Sequence, residues 1–114
     1  MTVIYKICPA ALWQAAERNG IFAGAPVDVA DGFIHFSTAA QVKETAAKHF
    51  ARQPDLLLVH VQAERLGERL KWEPSRGGAL FPHLYAPLRL ADVQKVVALP
   101  LGPDGQHVLP ALEP

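Results

Sequence analysis

Residues 31–38 read DGFIHFST, a run in which a glycine opens and Ser-Thr closes a stretch of strand formers with a histidine at its centre. Taken as one strand over Gly32–Ser37, period-two alternation sends Ile34 and Phe36 to one side and Phe33, His35 and Ser37 to the other. An imidazole between two large apolar neighbours loses water around its nitrogens, and leaving it unpartnered costs about 1–3 kcal/mol. Two readings meet that cost. His35 is either a core residue bonded to a backbone carbonyl or to Ser37, or it stands with Phe33 and Ser37 on the wall of a cleft.

Working outward, Ser37 and Thr38 offer helix caps, and Thr38 with Gln41 has the spacing of a capping box. Ala39, Val42, Ala46 and Phe50 then recur at helical spacing, with Glu44 and Lys48 as a favourable i,i+4 pair on the outer surface. Upstream, Thr2–Cys8 alternates as an opening strand, with Val3, Tyr5 and Ile7 on one face and Ile4 and Lys6 on the other. Pro9 starts a helix striped by Leu12, Trp13 and Ala16, and Asn19-Gly20 gives it a left-handed stop. Residues 21–31 lack sustained periodicity and read as a loop.

Downstream, Asp55–Val61 (DLLLVHV) has the length and continuous apolarity of a central strand buried on both faces. Leu70–Glu73 forms another strand, with Leu70 and Trp72 inward and Lys71 and Glu73 opposite. Val93–Leu101 reads as the last strand, and the Pro/Gly-rich residues 102–114 form a loosely wrapped tail. Seven of the ten prolines lie beyond residue 70, which excludes a long helix there. Strands mixed with two early helices and followed mostly by strands predict an α+β domain.

A second histidine stands among aromatics in FPHLY, residues 81–85. Pro82 keeps Phe81 extended, so His83 and Tyr85 face the same way and an imidazole beside a hydroxyl recurs, as with His35 and Ser37. Such pairs suit phosphate or sugar oxygens, and a nearby aromatic face suits a base or a nicotinamide ring. In KWEPSRGG, residues 71–78, Glu73 ends a strand and Arg76 precedes two glycines that let the backbone turn or approach a ligand. A carboxylate so placed can steady an oxocarbenium-like centre; the plainer reading is a surface ion pair of Glu73 with Arg76 or Lys71, worth about 0–1 kcal/mol.

His35, His83 and either Glu73 or Asp31 also compose a two-histidine, one-carboxylate metal set, although no HxxxH, HExxH or CxxC spacing is present. No GxSxG marks a serine hydrolase. His49, His60 and His107 fall on a helix, a central strand and the tail, and none is assigned to chemistry.

At 114 residues the chain is expected to form one domain, 1–114. Eleven basic side chains balance eleven acidic ones, so there is no basic field for nucleic acid, and a charged ligand must be met locally. MTVIYKIC carries no secretory pattern and no run approaches 18 apolar residues, so a cytoplasmic location without membrane spanning is expected. Cys8 stands alone and reads as core filler.

In this order the IYK strand, the Trp-bearing helix ending in Gly, DGFIHFST, DLLLVHV, LKWEP and FPHLYAPL resemble a bacterial family known as domain of unknown function 952, over most of the chain. The resemblance implies an ADP-ribosyltransferase-like fold, two small antiparallel sheets around a cleft with flanking helices. In such folds a first-strand histidine holds a ribose, a second-strand hydroxyl residue and aromatics line a nicotinamide pocket, and a later carboxylate supports glycosidic cleavage. His35 and Ser37 match the second-strand motif, and Glu73 is assigned the carboxylate role from its strand-end position. Where family members often have a histidine after Ile-Tyr, this chain has Lys6, which keeps a donor but lacks the acceptor and the flat ring.

The expected site therefore consists of His35, Glu73 and His83 as catalytic groups, with Tyr5, Lys6, Ser37, Trp72, Arg76 and Tyr85 binding the ligand. The expected function is binding of a nucleotide or phosphorylated ribose of the NAD or ADP-ribose class, with ADP-ribosyl-type transfer using NAD as substrate. The alternatives are a non-enzymatic ligand- or partner-binding module with structural histidines and, third, the His/His/carboxylate metal site.

Overall fold

A computed structural model of the chain describes all 114 residues apart from the side chain of Arg76. Its centre is an antiparallel sheet of strand order β4-β1-β5-β9, built from β1 (Val3–Pro9), β4 (Ser37–Thr38), β5 (Leu56–Gln62) and β9 (Val93–Leu99). A second antiparallel sheet has order β3-β7-β6, from β3 (Ile34–His35), β6 (Leu70–Pro74) and β7 (Leu80–Leu84). β2 (Ile21–Phe22) and β8 (Leu88–Arg89) pair as a short ribbon. The α-helices are α1 (Ala10–Asn19), α2 (Pro26–Asp31) and α3 (Val42–His49), and short 3-10 turns connect strands further along the chain. The chain is thus a small mixed domain of antiparallel sheets and a few helices.

The alternation in β1 and β5 sorts their side chains into cores on opposite faces of the central sheet. Val3, Tyr5, Ile7, Leu56 and Leu58 pack with Val42 and Ala46 of α3 and with Leu99. Ile4, Cys8, Val59 and Val61 pack with Trp13 and Ala16 of α1, Phe22, Ile34, Phe36 and Leu84. Burial on both faces is what the unbroken apolar run of β5 requires. Gly20 ends α1 in the left-handed conformation (φ 79°), where only glycine is unstrained, and its N–H bonds the Ala16 carbonyl at 2.9 Å. Glu44 and Lys48 pair at 3.3 Å as their spacing predicts.

Three expectations are corrected. Residues 21–31 hold β2 and α2 rather than a loop; Pro26 at the first helical position preorganises α2 despite its short length. Gly32–Ser37 is not one strand: β3 pairs with β7, β4 pairs with β1, and the chain changes sheets at Phe36, whose N–H is taken by the Pro82 carbonyl at 3.0 Å. Trp72 is not inward but 41% exposed, on β6, the outer strand of its sheet. The C-terminal residues lie against the fold: Pro114 accepts from the Val3 N–H at 3.3 Å, and Leu109 and Leu112 pack on the α3-side core. Among the described residues no helix is long and apolar enough to cross a membrane.

Cys8 is fully buried, and burial pushes its thiol up to about 11. At pH 8 only about a thousandth of such a thiol is ionised. An aromatic disulfide reagent is therefore expected to leave the native protein unlabelled over minutes and to release one equivalent of thiolate after addition of guanidinium; rapid labelling without denaturant would contradict this packing.

Candidate functional site

The change of sheets at Phe36 makes the site. β4 is only two residues long and pairs with β1 at Ile4 and Tyr5 alone, so the sheets part beside Lys6 and Ile7. A cavity of about 510 Å³ opens there, lined among others by Lys6, Asp31, His35, Ser37, Thr45 and His83, with Val27, Phe36, Phe50 and Phe81 as apolar wall. That volume suits a small molecule, and a few polar groups on an apolar lining is the usual composition of a ligand site.

His35 and His83 are a directly opposed cross-strand pair between β3 and β7, with ring centroids 5.5 Å apart. Each presents Nδ1 to a carboxylate. His35 Nδ1 lies 2.6 Å from Asp28 Oδ1, and His83 Nδ1 lies 2.8 Å from Glu73 Oε1. A carboxylate at Nδ1 fixes both ring orientation and tautomer. Phe33 stacks on His83 at 4.1 Å and 24°, and lies 4.6 Å from the His35 ring, so the pair is also held by packing.

Asp28 is the hub. Only 2% exposed, it takes the Lys6 ammonium at 2.9 and 2.8 Å, the Ala25 N–H at 2.8 Å, the His35 N–H at 3.1 Å and the His35 ring. Burial by itself would raise this carboxyl; the His35 hydrogen bond, the Lys6 charge and the Ala25 N–H outweigh it and hold the group at about 2. The other nitrogen of His35 meets Asp31 Oδ2 at 2.9 Å, and that carboxylate is half exposed.

Glu73 also accepts from the Tyr85 hydroxyl at 2.7 Å. The Tyr85 and His83 hydrogen bonds lower the Glu73 carboxyl, and the same carboxylate raises the Tyr85 phenol. Ser37 Oγ pairs with Thr45 Oγ1 at 2.9 Å across the cavity floor between β4 and α3.

Of the residues singled out in the sequence, Tyr5, Lys6, His35, Ser37 and His83 line the main cavity. Tyr85 lines a second, shallower depression of about 300 Å³ with Phe33, and Trp72 and Glu73 line neither. The Tyr5 hydroxyl is not offered to a ligand: it donates to the Glu113 carbonyl at 2.6 Å and accepts from the Glu113 N–H at 2.7 Å. Lys6 is committed to Asp28, and the Arg76 side chain lies outside the described residues. Among the described residues no group of three or more His, Cys, Asp or Glu side chains is placed to hold a metal ion.

Asp28 was not legible as a site residue. Its one signal is Pro26-Val27-Asp28, a proline at a helix start with an acidic residue two positions on, where a carboxylate can reach back to the N-cap N–H. Thr45 and His49 carry no sequence signal beyond lying on the same helix face.

What fold and site define is a small antiparallel α+β domain with one carboxylate-anchored histidine pair facing a cleft. The chain belongs to the family described as Protein of unknown function (DUF952), whose model matches residues 7–96. It is similar to protein CC0527 from Caulobacter crescentus, whose X-ray structure is 54% identical, with a TM-score of 0.91 and 94% of each chain covered. The solution NMR structure of that protein gives 56% identity and a TM-score of 0.84 over 93% of this chain and 91% of the other. No curated protein matches the chain.

Proposed function

We propose that the chain binds a nucleotide or phosphorylated ribose of the NAD or ADP-ribose class in the 510 Å³ cavity. The observation that carries this reading is the His35–His83 pair, two imidazoles oriented by separate carboxylates and set in a cavity wall with the Ser37 hydroxyl and aromatic surface. His35 and His83 hold phosphate or ribose oxygens, and Phe50 and Phe81 on the cavity wall cover the base or nicotinamide face. Two antiparallel sheets parting around a cleft support an ADP-ribosyltransferase-like architecture on this reading.

The activity to be tested is transfer at the glycosidic bond. The C1′–N bond breaks with its electron pair leaving on neutral nicotinamide, while a nucleophilic acceptor attacks C1′ and gives its proton to an imidazole. Glu73, turned onto His83 and Tyr85, acts in this scheme by positioning His83. The same occupancy of Glu73 favours a second reading, a binding module without turnover, since the carboxylate assigned to the anomeric carbon is turned onto His83 and Tyr85 and lines no part of the cavity.

NAD, ADP-ribose and nucleoside monophosphates are to be screened by thermal shift. A ligand at 100 times its dissociation constant stabilises by about 2.7 kcal/mol, a rise of roughly 10 °C for a domain of this size. The rise is expected for at least one of them and is expected to vanish in His83→Ala. Silence from the whole set removes the nucleotide reading; a shift without nicotinamide release from NAD selects the binding module.

A further inference from the structure

The two aspartates of α2 hold the same imidazole in different ways. Asp28 is inside the fold, with backbone and side-chain donors on both of its oxygens. Asp31 is 48% exposed and, among the described residues, meets the outer nitrogen of His35 alone, at 2.9 Å. Both Asp31 and His35 line the cavity. Because Asp28 fixes the ring through Nδ1 and fixes the His35 backbone N–H as well, the Nε2 of His35 is aimed at one point on the cavity rim, and a carboxylate oxygen already sits there.

We propose that this point is the seat of an anionic oxygen of the ligand, and that the Asp31 carboxylate is a placeholder which the ligand displaces. On the nucleotide reading above, on which this rests, the entering group is a phosphate oxygen. With Nδ1 donating to Asp28, a second proton on Nε2 lets the imidazolium donate to an anionic oxygen at this seat, where a carboxylate oxygen lies. The occupant is weakly held, because a solvent-exposed ion pair contributes little. A phosphate also carries further oxygens that a short aspartate side chain lacks, and the His83 ring, 5.5 Å from that of His35, is within their span. Asp31 directly precedes Gly32, whose φ of 86° ends α2, so the carboxylate stands at the helix terminus at the edge of the cavity. Displacement then moves one surface side chain and leaves Asp28, Lys6 and the sheet untouched.

The test is isothermal titration of ADP-ribose and of inorganic pyrophosphate into the full chain, Asp31→Asn and the double variant Asp31→Asn/His35→Gln. Asparagine keeps the shape and removes the competing charge, so both probes are expected to bind Asp31→Asn about 5–10-fold more tightly, equivalent to about 1–1.4 kcal/mol. The gain is expected to disappear in the double variant. Equal or weaker binding to Asp31→Asn, where the unaltered chain binds ADP-ribose, overturns the placeholder and leaves the nucleotide reading standing. A gain that survives loss of His35 assigns it to general charge and also overturns the placeholder. Binding of neither probe to either Asp31 form overturns both proposals.

Discussion

Asp28→Asn is expected to destabilise the protein by about 3–5 kcal/mol, the cost of leaving one member of a buried ion pair without its counter-charge. The uncompensated charge is the Lys6 ammonium, 5% exposed, whose nearest acceptors are the two oxygens of Asp28. At roughly 4–8 °C per kcal/mol for a domain near this length, the melting temperature falls by about 15–30 °C. Adding Lys6→Met is expected to recover a large part of that loss, since removing both charges spares the desolvation of each. A single variant within about 1 kcal/mol of the unaltered chain in urea unfolding contradicts the hub.

The same group sets the acid limit. Its carboxyl is held at about 2 in the folded chain against about 3.9 when unfolded. A depressed carboxyl contributes its stability above the unfolded value and loses it as pH falls through the folded one. On the order of 2–3 kcal/mol is therefore expected to disappear between about pH 4 and pH 2, and Asp28→Asn is expected to lack this part of the acid dependence.

His60→Leu is the second large effect, with the opposite sign. His60 is 1% exposed, lies edge-on to the Tyr5 ring at 4.8 Å, and neither of its ring nitrogens has a hydrogen-bond partner among the described residues. An unsatisfied buried polar group costs about 1–3 kcal/mol, so an apolar side chain of similar volume is expected to stabilise by about 1–2 kcal/mol. Burial lowers the imidazole first, Lys95 on the neighbouring strand lowers it further, and Glu113 in the tail partly opposes them. The unfolded chain therefore takes up the proton first as pH falls below about 6.5, and stability declines there by up to about 1.4 kcal/mol per pH unit. His60→Leu is expected to flatten that slope. Urea midpoints at pH 7.5 and 5.5 measure both effects, and a variant less stable than the parent at pH 7.5 contradicts the packing.

The sequence reached much of this. Periodicity gave the opening strand, α1 with its Gly20 stop, α3 and the doubly buried β5, because each is a local run whose burial follows from alternation. FIHFS and FPHLY pointed to a shared cleft, and His35 and His83 stand side by side on one wall of it. Trp72 misled, because an aromatic in a strand pattern reads as inward unless the strand lies at an edge, and edge position is a property of the sheet. The short β2 and α2 escaped because six helical residues or two strand residues carry no period to count.

What the chain determined by itself is the set of elements and the residue types that could meet a ligand, since hydrophobic spacing, caps and turn residues act over a few positions. What only the tertiary structure decided is which charges touch. Lys6, Asp28 and His35 come from a strand, a short helix and a second strand, and no sequence spacing encodes their 2.6–2.9 Å contacts. That cluster forms because the chain leaves one sheet for the other at Phe36, and the long-range pairing of β3 with β7 and of β4 with β1 is what makes it do so.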